Sequence, residues 1–160
     1  MKKTVILLTS IFISYLSFGQ EIKGNYAIKN VQTGMLLRVK DAHSKNGTPL
    51  VLYNPENWKC MTWNFKHVDG NTYQLQNLLT GKTFQPKGNN LEEQPLAANN
   101  ATQEYIFEPA DKGSYMIRQK GTDLYITADA GGEVNSSITL AQKTNSKNQR
   151  WTIYEQAPTM

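Results

Sequence analysis

The residues that could break bonds or hold a metal are few and scattered. His43 and His67 are the only histidines, and no Cys or carboxylate stands at metal-ligand spacing from either. Glu92-Glu93 is a pair of neighbouring carboxylates, but adjacent strand residues point to opposite faces, so the pair reads as a solvated loop. No nucleophile elbow, phosphate-cradling glycine loop or dinucleotide fingerprint occurs. Cys60, the single cysteine, has no intrachain disulfide partner and reads as a buried, inert thiol. The N-x-S/T triplets at Asn46, Asn100 and Asn135 read as turn residues. This inventory offers no catalytic group, so neither enzymatic activity nor a metal or other cofactor is expected. Trp58, in the loop Asn54-Pro-Glu-Asn-Trp58, is either an exposed platform or an anchor that folds the loop onto the body.

The elements around these residues come in three copies. Tyr26-Ala-Ile28-Lys-Asn30 precedes Thr33-Gly34, Tyr73-Gln-Leu75-Gln-Asn77 precedes Thr80-Gly81, and Tyr115-Met-Ile117-Arg-Gln119 precedes Gly121. An apolar residue follows three positions after each glycine, at Leu37, Phe84 and Leu124. Each copy closes on an aromatic pair or its equivalent: Trp63-Asn-Phe65, Tyr105-Ile-Phe107, Trp151-Thr-Ile153. The copies begin 47 and 42 residues apart, a period that marks a repeat architecture. Apolar residues alternate at i and i+2 throughout, with turn clusters such as Lys45-Asn-Gly47, Asp69-Gly-Asn71 and Lys87-Gly-Asn-Asn90 between them. The pattern predicts an all-β fold of about twelve short strands, about four per copy. No copy can bury its apolar face alone, so the three are expected to close about a shared axis on Trp63, Tyr105 and Trp151.

Residues 1–20 carry Lys2-Lys3, an apolar run from Val5 to Phe18 and the small-residue stretch Ser17-Phe-Gly19-Gln20, the pattern of a secretory signal peptide. The expected product is exported, to the extracellular space or periplasm, with a bacterial style of leader and no membrane insertion. Without Lys2 and Lys3 the chain keeps 15 Lys+Arg against 13 Asp+Glu, a net charge of +2. The cations are interspersed with acids rather than blocked together, which argues against a nucleic-acid partner. Residues 21–160 make one domain, with repeats at about 24–68, 69–110 and 111–156.

Asn148-Gln149-Arg150-Trp151 is an N-Q-x-W tetrad, with degraded copies at Met61-Thr62-Trp63 and Gln103-Glu104-Tyr105. The first copy adds Y-x-I-x-N-x-x-T-G, then L-x-V, then N-G-T-P-L-x-L-Y. Over roughly residues 24–156 the chain thereby resembles the ricin-type β-trefoil lectins. The resemblance implies a β-trefoil, a six-stranded barrel capped by three hairpins with pseudo-threefold symmetry, and a glycan or polysaccharide partner. It also implies where a sugar would sit. Each pocket of the family uses an Asp after the first apolar residue of the second strand. A polar residue and an aromatic come from the third strand, and Asn and Gln from before the closing aromatic.

On that template every pocket of this chain departs from the pattern. Arg38, Gln85 and Tyr125 take the Asp position, and Cys60-Met61 and Thr102-Gln103 replace Asn-Gln in the first two copies. The third strand of the second copy, placed near Pro95 to Ala98, offers no aromatic, and Ala141 lacks one in the third. The carbohydrate-binding residues implied are Asn148 and Gln149, with Tyr125 as a substitute stacking surface, and Tyr53 with Asp41, His43 and Asn46 on the adjoining loop. Gln149 has a second possible role in the family, tying down neighbouring backbone. The alternative to a lectin-like module is a protein-binding trefoil, an inhibitor or adhesin-like domain that has lost sugar binding.

Overall fold

The structure, a computed structural model, describes residues 19–160, so the expected signal peptide lies outside the described residues except for Gly19 and Gln20. Twelve strands follow in three sets of four. The first set is β1 (Asn25–Asn30), β2 (Leu36–Val39), β3 (Leu50–Tyr53) and β4 (Trp63–Asp69). The second is β5 (Thr72–Asn77), β6 (Thr83–Lys87), β7 (Asn90–Gln94) and β8 (Tyr105–Pro109). The third is β9 (Tyr115–Gln119), β10 (Leu124–Ala128), β11 (Ile138–Gln142) and β12 (Arg150–Glu155). The first and fourth strands of the sets pair antiparallel in a closed ring, β1-β4-β5-β8-β9-β12 and back to β1. The remaining strands form hairpins β2-β3, β6-β7 and β10-β11. Single bridges Pro49–Glu92, Asn90–Thr139 and Val51–Ser137 link the hairpins into a triangular cap. This is the β-trefoil that the repeat and the resemblance imply.

One bond recurs three times and joins barrel to cap. Trp63 Nε1 donates to Leu37 O at 3.1 Å, Tyr105 Oη to Phe84 O at 3.1 Å, and Trp151 Nε1 to Ile126 O at 2.9 Å. All three aromatics are fully buried. A buried indole or phenol needs a partner for its polar hydrogen, and the hairpin carbonyl supplies one. Burial alone holds the Tyr105 hydroxyl well above the ordinary phenol range. At the other end of the barrel Tyr26, Phe65, Tyr73, Phe107 and Tyr115 pack with ring centroids 5.1–5.7 Å apart, edge to face except for the tilted Phe65–Phe107 pair.

The turns between the first and second strands set the register of everything after them. Asn30 Oδ1 accepts from the Gln32 and Thr33 N–H groups, and Asn77 Oδ1 from Leu79 and Thr80. Gly34 and Gly81 close these turns at φ +71 and +70, where a side chain would be strained. The third turn is equally long but puts its glycine two positions earlier. Threonine is the repeating landmark instead: the Oγ1 atoms of Thr33, Thr80 and Thr122 accept from Met35, Lys82 and Leu124 N–H. Asp123 therefore stands where Gly34 and Gly81 do, and Ile126 rather than Leu124 is the equivalent of Leu37 and Phe84. The spacing rule keyed on glycine mis-set the third copy by two residues.

Glu92-Glu93 lies on β7, not in a solvated loop. Pairing of Phe84 with Glu93 places Glu93 where the other hairpins carry Leu52 and Leu140, and it is fully buried. Its Oε1 accepts from the Thr80 hydroxyl, while Oε2 has no partner. Burial raises the Glu93 carboxyl above the ordinary range, against smaller opposing pulls from Thr80 and Lys82.

Two outcomes follow. Trp151→Phe, which keeps most of the ring but strands Ile126 O, should cost about 1–3 kcal/mol in urea unfolding at constant m-value. Because the folded state holds the Glu93 proton more tightly than the unfolded chain, Glu93 contributes most below the ordinary carboxylate pKa. Stability is lost as pH rises from there through the raised folded value. Glu93→Gln should therefore gain on the wild type between pH 4 and pH 7, by on the order of 1 kcal/mol. A wild-type-minus-variant difference that is flat with pH would contradict the assignment.

Candidate functional site

Because Leu37, Phe84 and Ile126 face the core, the next residue of each second strand faces outward: Arg38, Gln85 and Thr127. Hairpin pairing adds Val51, Glu92 and Thr139 directly opposite them. One pair further along lie Leu36 with Tyr53, Thr83 with Gln94, and Tyr125 with Ala141. A short 3-10 turn before each closing strand completes the face: Lys59–Met61, Ala101–Gln103 and Lys147–Gln149. Three threefold-related positions result, and they differ sharply.

In the third, Gln149 is a strut. Its Nε2 donates to Thr127 Oγ1 (3.0 Å) and to Gln142 O (2.8 Å), and its Oε1 accepts from Thr144 N–H (2.8 Å). Its neighbour Asn148 is only half-buried; Nδ2 donates to Ala128 O at 3.0 Å and Oδ1 has no donor. The long segment between β10 and β11 forms a wall beside it. Asp129 is exposed there, its Oδ1 accepting from Gly131 N–H, and Gln32 of the first copy donates to Ala130 O. The floor is polar, with Thr127 and Thr139 half-buried. Such a surface presents hydroxyl, amide and carboxylate groups of the kind that pair with ring hydroxyls.

In the second, Gln103 repeats the strut, with Nε2 on Gln85 Oε1 (3.1 Å) and Pro95 O (2.9 Å) and Oε1 on Ala97 N–H (2.9 Å). The wall is missing, however, because β6 and β7 are joined by the two-residue turn Gly88-Asn89. Glu92 is held by Gln94 and by Lys87 at 3.4 Å. The third strand is thus Asn90–Gln94, with Gln94 at the aromatic position, and not the Pro95–Ala98 stretch expected from the sequence.

In the first, the wall is present as residues 40–49 but the strut is gone. Met61, fully buried, stands in place of Gln and cannot bond the outward residue. Gln156 holds the loop instead: Nε2 donates to Glu56 O (2.9 Å) and Oε1 accepts from Thr62 Oγ1 (2.7 Å). Ala27, Leu36, Cys60 and Met61 form a small second apolar cluster, with Tyr53 and Trp58 packed on it. A cleft of about 410 Å³ opens here, lined mainly by apolar atoms, with Arg38, Ala42, Trp58, Lys59, Cys60 and Leu79 around it. Trp58 anchors its loop on Tyr53, with ring centroids 5.9 Å apart, and being only half-buried it also lines the cleft.

The structure separates the residues implied by sequence. Asn148 is at the third position as expected. Gln149 is beside it but wholly enclosed, with its amide spent on protein partners, so it shapes the site without facing it. Tyr125 does not take the Asp position; Thr127 does. Tyr125 pairs with Ala141, is buried, and donates to Glu108 Oε2 at 3.1 Å. Burial and then the Glu108 carboxylate hold its hydroxyl above the ordinary phenol range, and Lys143 lies 5.8 Å from its ring centroid. Tyr53 keeps its position, but Arg38 covers one ring face at 4.0 Å. Asp41, His43 and Asn46 are exposed on the first wall, with Asp41 in the left-handed region at φ 50. What the sequence did not disclose is the inverse pattern of losses, strut without wall and wall without strut.

The sequence matches the family described as ricin-type beta-trefoil lectin domain-like over residues 15–98 and 59–138. It has no match among curated proteins. Among solved structures it is similar to the designed threefold-symmetric protein ThreeFoil (TM-score 0.77, 15% identity, 82% of this chain and 98% of that one). It is similar to the Macrolepiota procera ricin B-like lectin in complex with lactose (TM-score 0.71, 16% identity, 84% and 97%). It is also similar to an exo-β-1,3-galactanase from Clostridium thermocellum (TM-score 0.72, 18% identity), covering 81% of this chain but only 29% of that one.

Gln149→Leu should leave the Thr144 N–H and the Gln142 carbonyl without their partner and lower unfolding free energy by about 2–3 kcal/mol. Asn148→Ala, on a half-exposed residue, should cost under about 1 kcal/mol. Urea titration of both variants checks the contrast, and equal losses would remove the distinction between strut and facing residue.

Proposed function

The chain belongs to the ricin-type beta-trefoil lectin domain-like family, and from that membership we propose that it is an exported carbohydrate-binding module that performs no catalysis. The observation that carries this reading is the third position. Among the three, it alone combines the Gln149 strut, a long wall and a half-buried amide, Asn148, whose Oδ1 is enclosed and lacks a donor. Each of the other two positions has lost two parts of that arrangement, the strut and the amide in the first (Met61 and Cys60) and the wall and the amide in the second (the turn Gly88-Asn89 and Thr102), so the pockets are degenerate and a single one serves neutral sugar.

A ring hydroxyl would donate to Asn148 Oδ1 once the amide turns toward it, and Thr127, Thr139 and Asp129 supply further polar contacts. With Ala141 in place of an aromatic, no ring covers the sugar's apolar face. Hydroxyl reading without stacking gives selectivity but modest affinity. The lactose complex of the Macrolepiota lectin supports a glycan ligand, and the galactanase supports a trefoil as one part of a longer chain. Export rests on the Lys2-Lys3 start and the apolar run to Phe18.

A glycan array on the purified protein is the decisive measurement. Retention of one or more neutral glycans is expected, falling at least tenfold in Asn148→Ala with an unchanged circular dichroism spectrum. Absence of any glycan signal, together with a protein partner insensitive to free sugar, would replace this reading with the protein-binding alternative.

A further inference from the structure

The first position is not merely a broken copy of the third; its charge is inverted. Arg38 occupies the place of an acidic residue in the family pattern and of Gln85 and Thr127 in this chain. It is 8% exposed, and its Nε is buried without a partner. Among the described residues its side chain has no hydrogen bond and no ion pair; its one partner is the Tyr53 ring beneath it at 4.0 Å. A guanidinium with its Nε enclosed and only its outer nitrogens reaching the cleft is ordinarily paired with an anion. Lys59 stands at the same cleft, and it too has no ion pair among the described residues. Met160, the last residue, lies along the rim, where an oxygen of its main-chain carboxylate accepts from Lys59 N–H at 2.7 Å without forming an ion pair with Arg38 or the Lys59 ammonium. The rest of the lining is apolar, from Trp58, Ala42, Cys60 and Leu79.

We propose that this cleft binds the carboxylate of an acidic sugar, a uronate residue of a glycan, with Arg38 and Lys59 facing the anion and Trp58 covering the sugar's apolar face. The planar guanidinium suits a carboxylate because it can present two parallel N–H donors, and its central carbon is held 4.0 Å over the Tyr53 ring. The proposal rests on the lectin reading for its choice of a sugar over other carboxylates, since the cleft is the threefold mate of the Asn148 position. A neutral sugar can accept N–H bonds from Arg38 through its hydroxyls but leaves the charge unneutralised. The chain would then carry two unlike sites on one scaffold, neutral at the third position and anionic at the first.

Calorimetric titration of the purified protein with galacturonate and glucuronate oligosaccharides tests this, with galactose and glucose oligosaccharides as neutral arms. A third arm uses a short apolar peptide bearing a free C-terminal carboxylate. The expected result is uronate binding that weakens at least tenfold in Arg38→Gln, weakens severalfold in 0.5 M salt and is unchanged in Asn148→Ala. Lys59→Glu, on a half-exposed residue, repeats the test without disturbing the core and should also weaken uronate binding. Uronates binding no better than their neutral counterparts, or binding unchanged in both charge variants, would overturn the proposal. So would binding of the peptide in preference to uronates. Loss of neutral-glycan binding in Asn148→Ala reports on the third position alone, so either site can fail while the other stands.

Discussion

The bond from each closing aromatic to the backbone carbonyl of its own hairpin is the constraint on which the structure turns. Trp63, Tyr105 and Trp151 lie at the centre of the core, and each carries a polar hydrogen that must be satisfied there. By donating to Leu37, Phe84 and Ile126, they clamp the cap to the barrel and fix the height and rotation of each second strand. The outward direction of Arg38, Gln85 and Thr127 follows directly, since strand neighbours alternate faces. Position of the surface sites is thus inherited from a bond inside the core.

The three units show how a repeat can keep its frame while its surface diverges. A second tie repeats beneath the sites. Asn30 Nδ2 donates to Asn148 O at 3.0 Å, and Asn77 Nδ2 to Cys60 O at 3.1 Å, each binding the 3-10 turn of the neighbouring unit. The backbone bonds Val31 N–H to Arg150 O, Leu78 N–H to Thr62 O and Lys120 N–H to Glu104 O do the same at all three junctions. With the frame held this way, a strut can be exchanged for Met61 or a wall cut to a two-residue turn without loss of the fold. Gln156 shows the accommodation directly, reaching the first unit's loop from beyond β12.

Much of this was legible in the sequence, because the frame is written in large apolar residues at period two and in aromatics that recur in phase. Twelve strands and the closing aromatics follow from those signals, and the buried thiol of Cys60 from its being the single cysteine. The third copy was mis-registered because a glycine is dispensable where threonine caps the turn; Thr122, not Gly121, was the landmark to align. Glu93 was misplaced because a carboxylate at a core position contradicts binary patterning, and only its threefold equivalence to Leu52 and Leu140 exposes it. The Met61 and Gln156 exchange could not be found locally, since the two residues meet only through the fold. Tyr53 is legible as a ring but not as a ring already occupied, because by position alone Arg38 on the neighbouring strand stands only for a lost acid, not for a cation with a face to lie on.

The ring of strands has one seam, where β1 meets β12 over five residue pairs from Tyr26–Glu155 to Asn30–Trp151. Those partners are separated by almost the whole folded chain. Everything synthesised earlier can pair with a near neighbour, but β1 keeps an open edge until residues 150–155 arrive. Pairing at that separation is slow to form, and it comes last. A chain emerging from its N-terminus onward therefore keeps one edge of β1 without its partner strand until residues 150–155 are delivered.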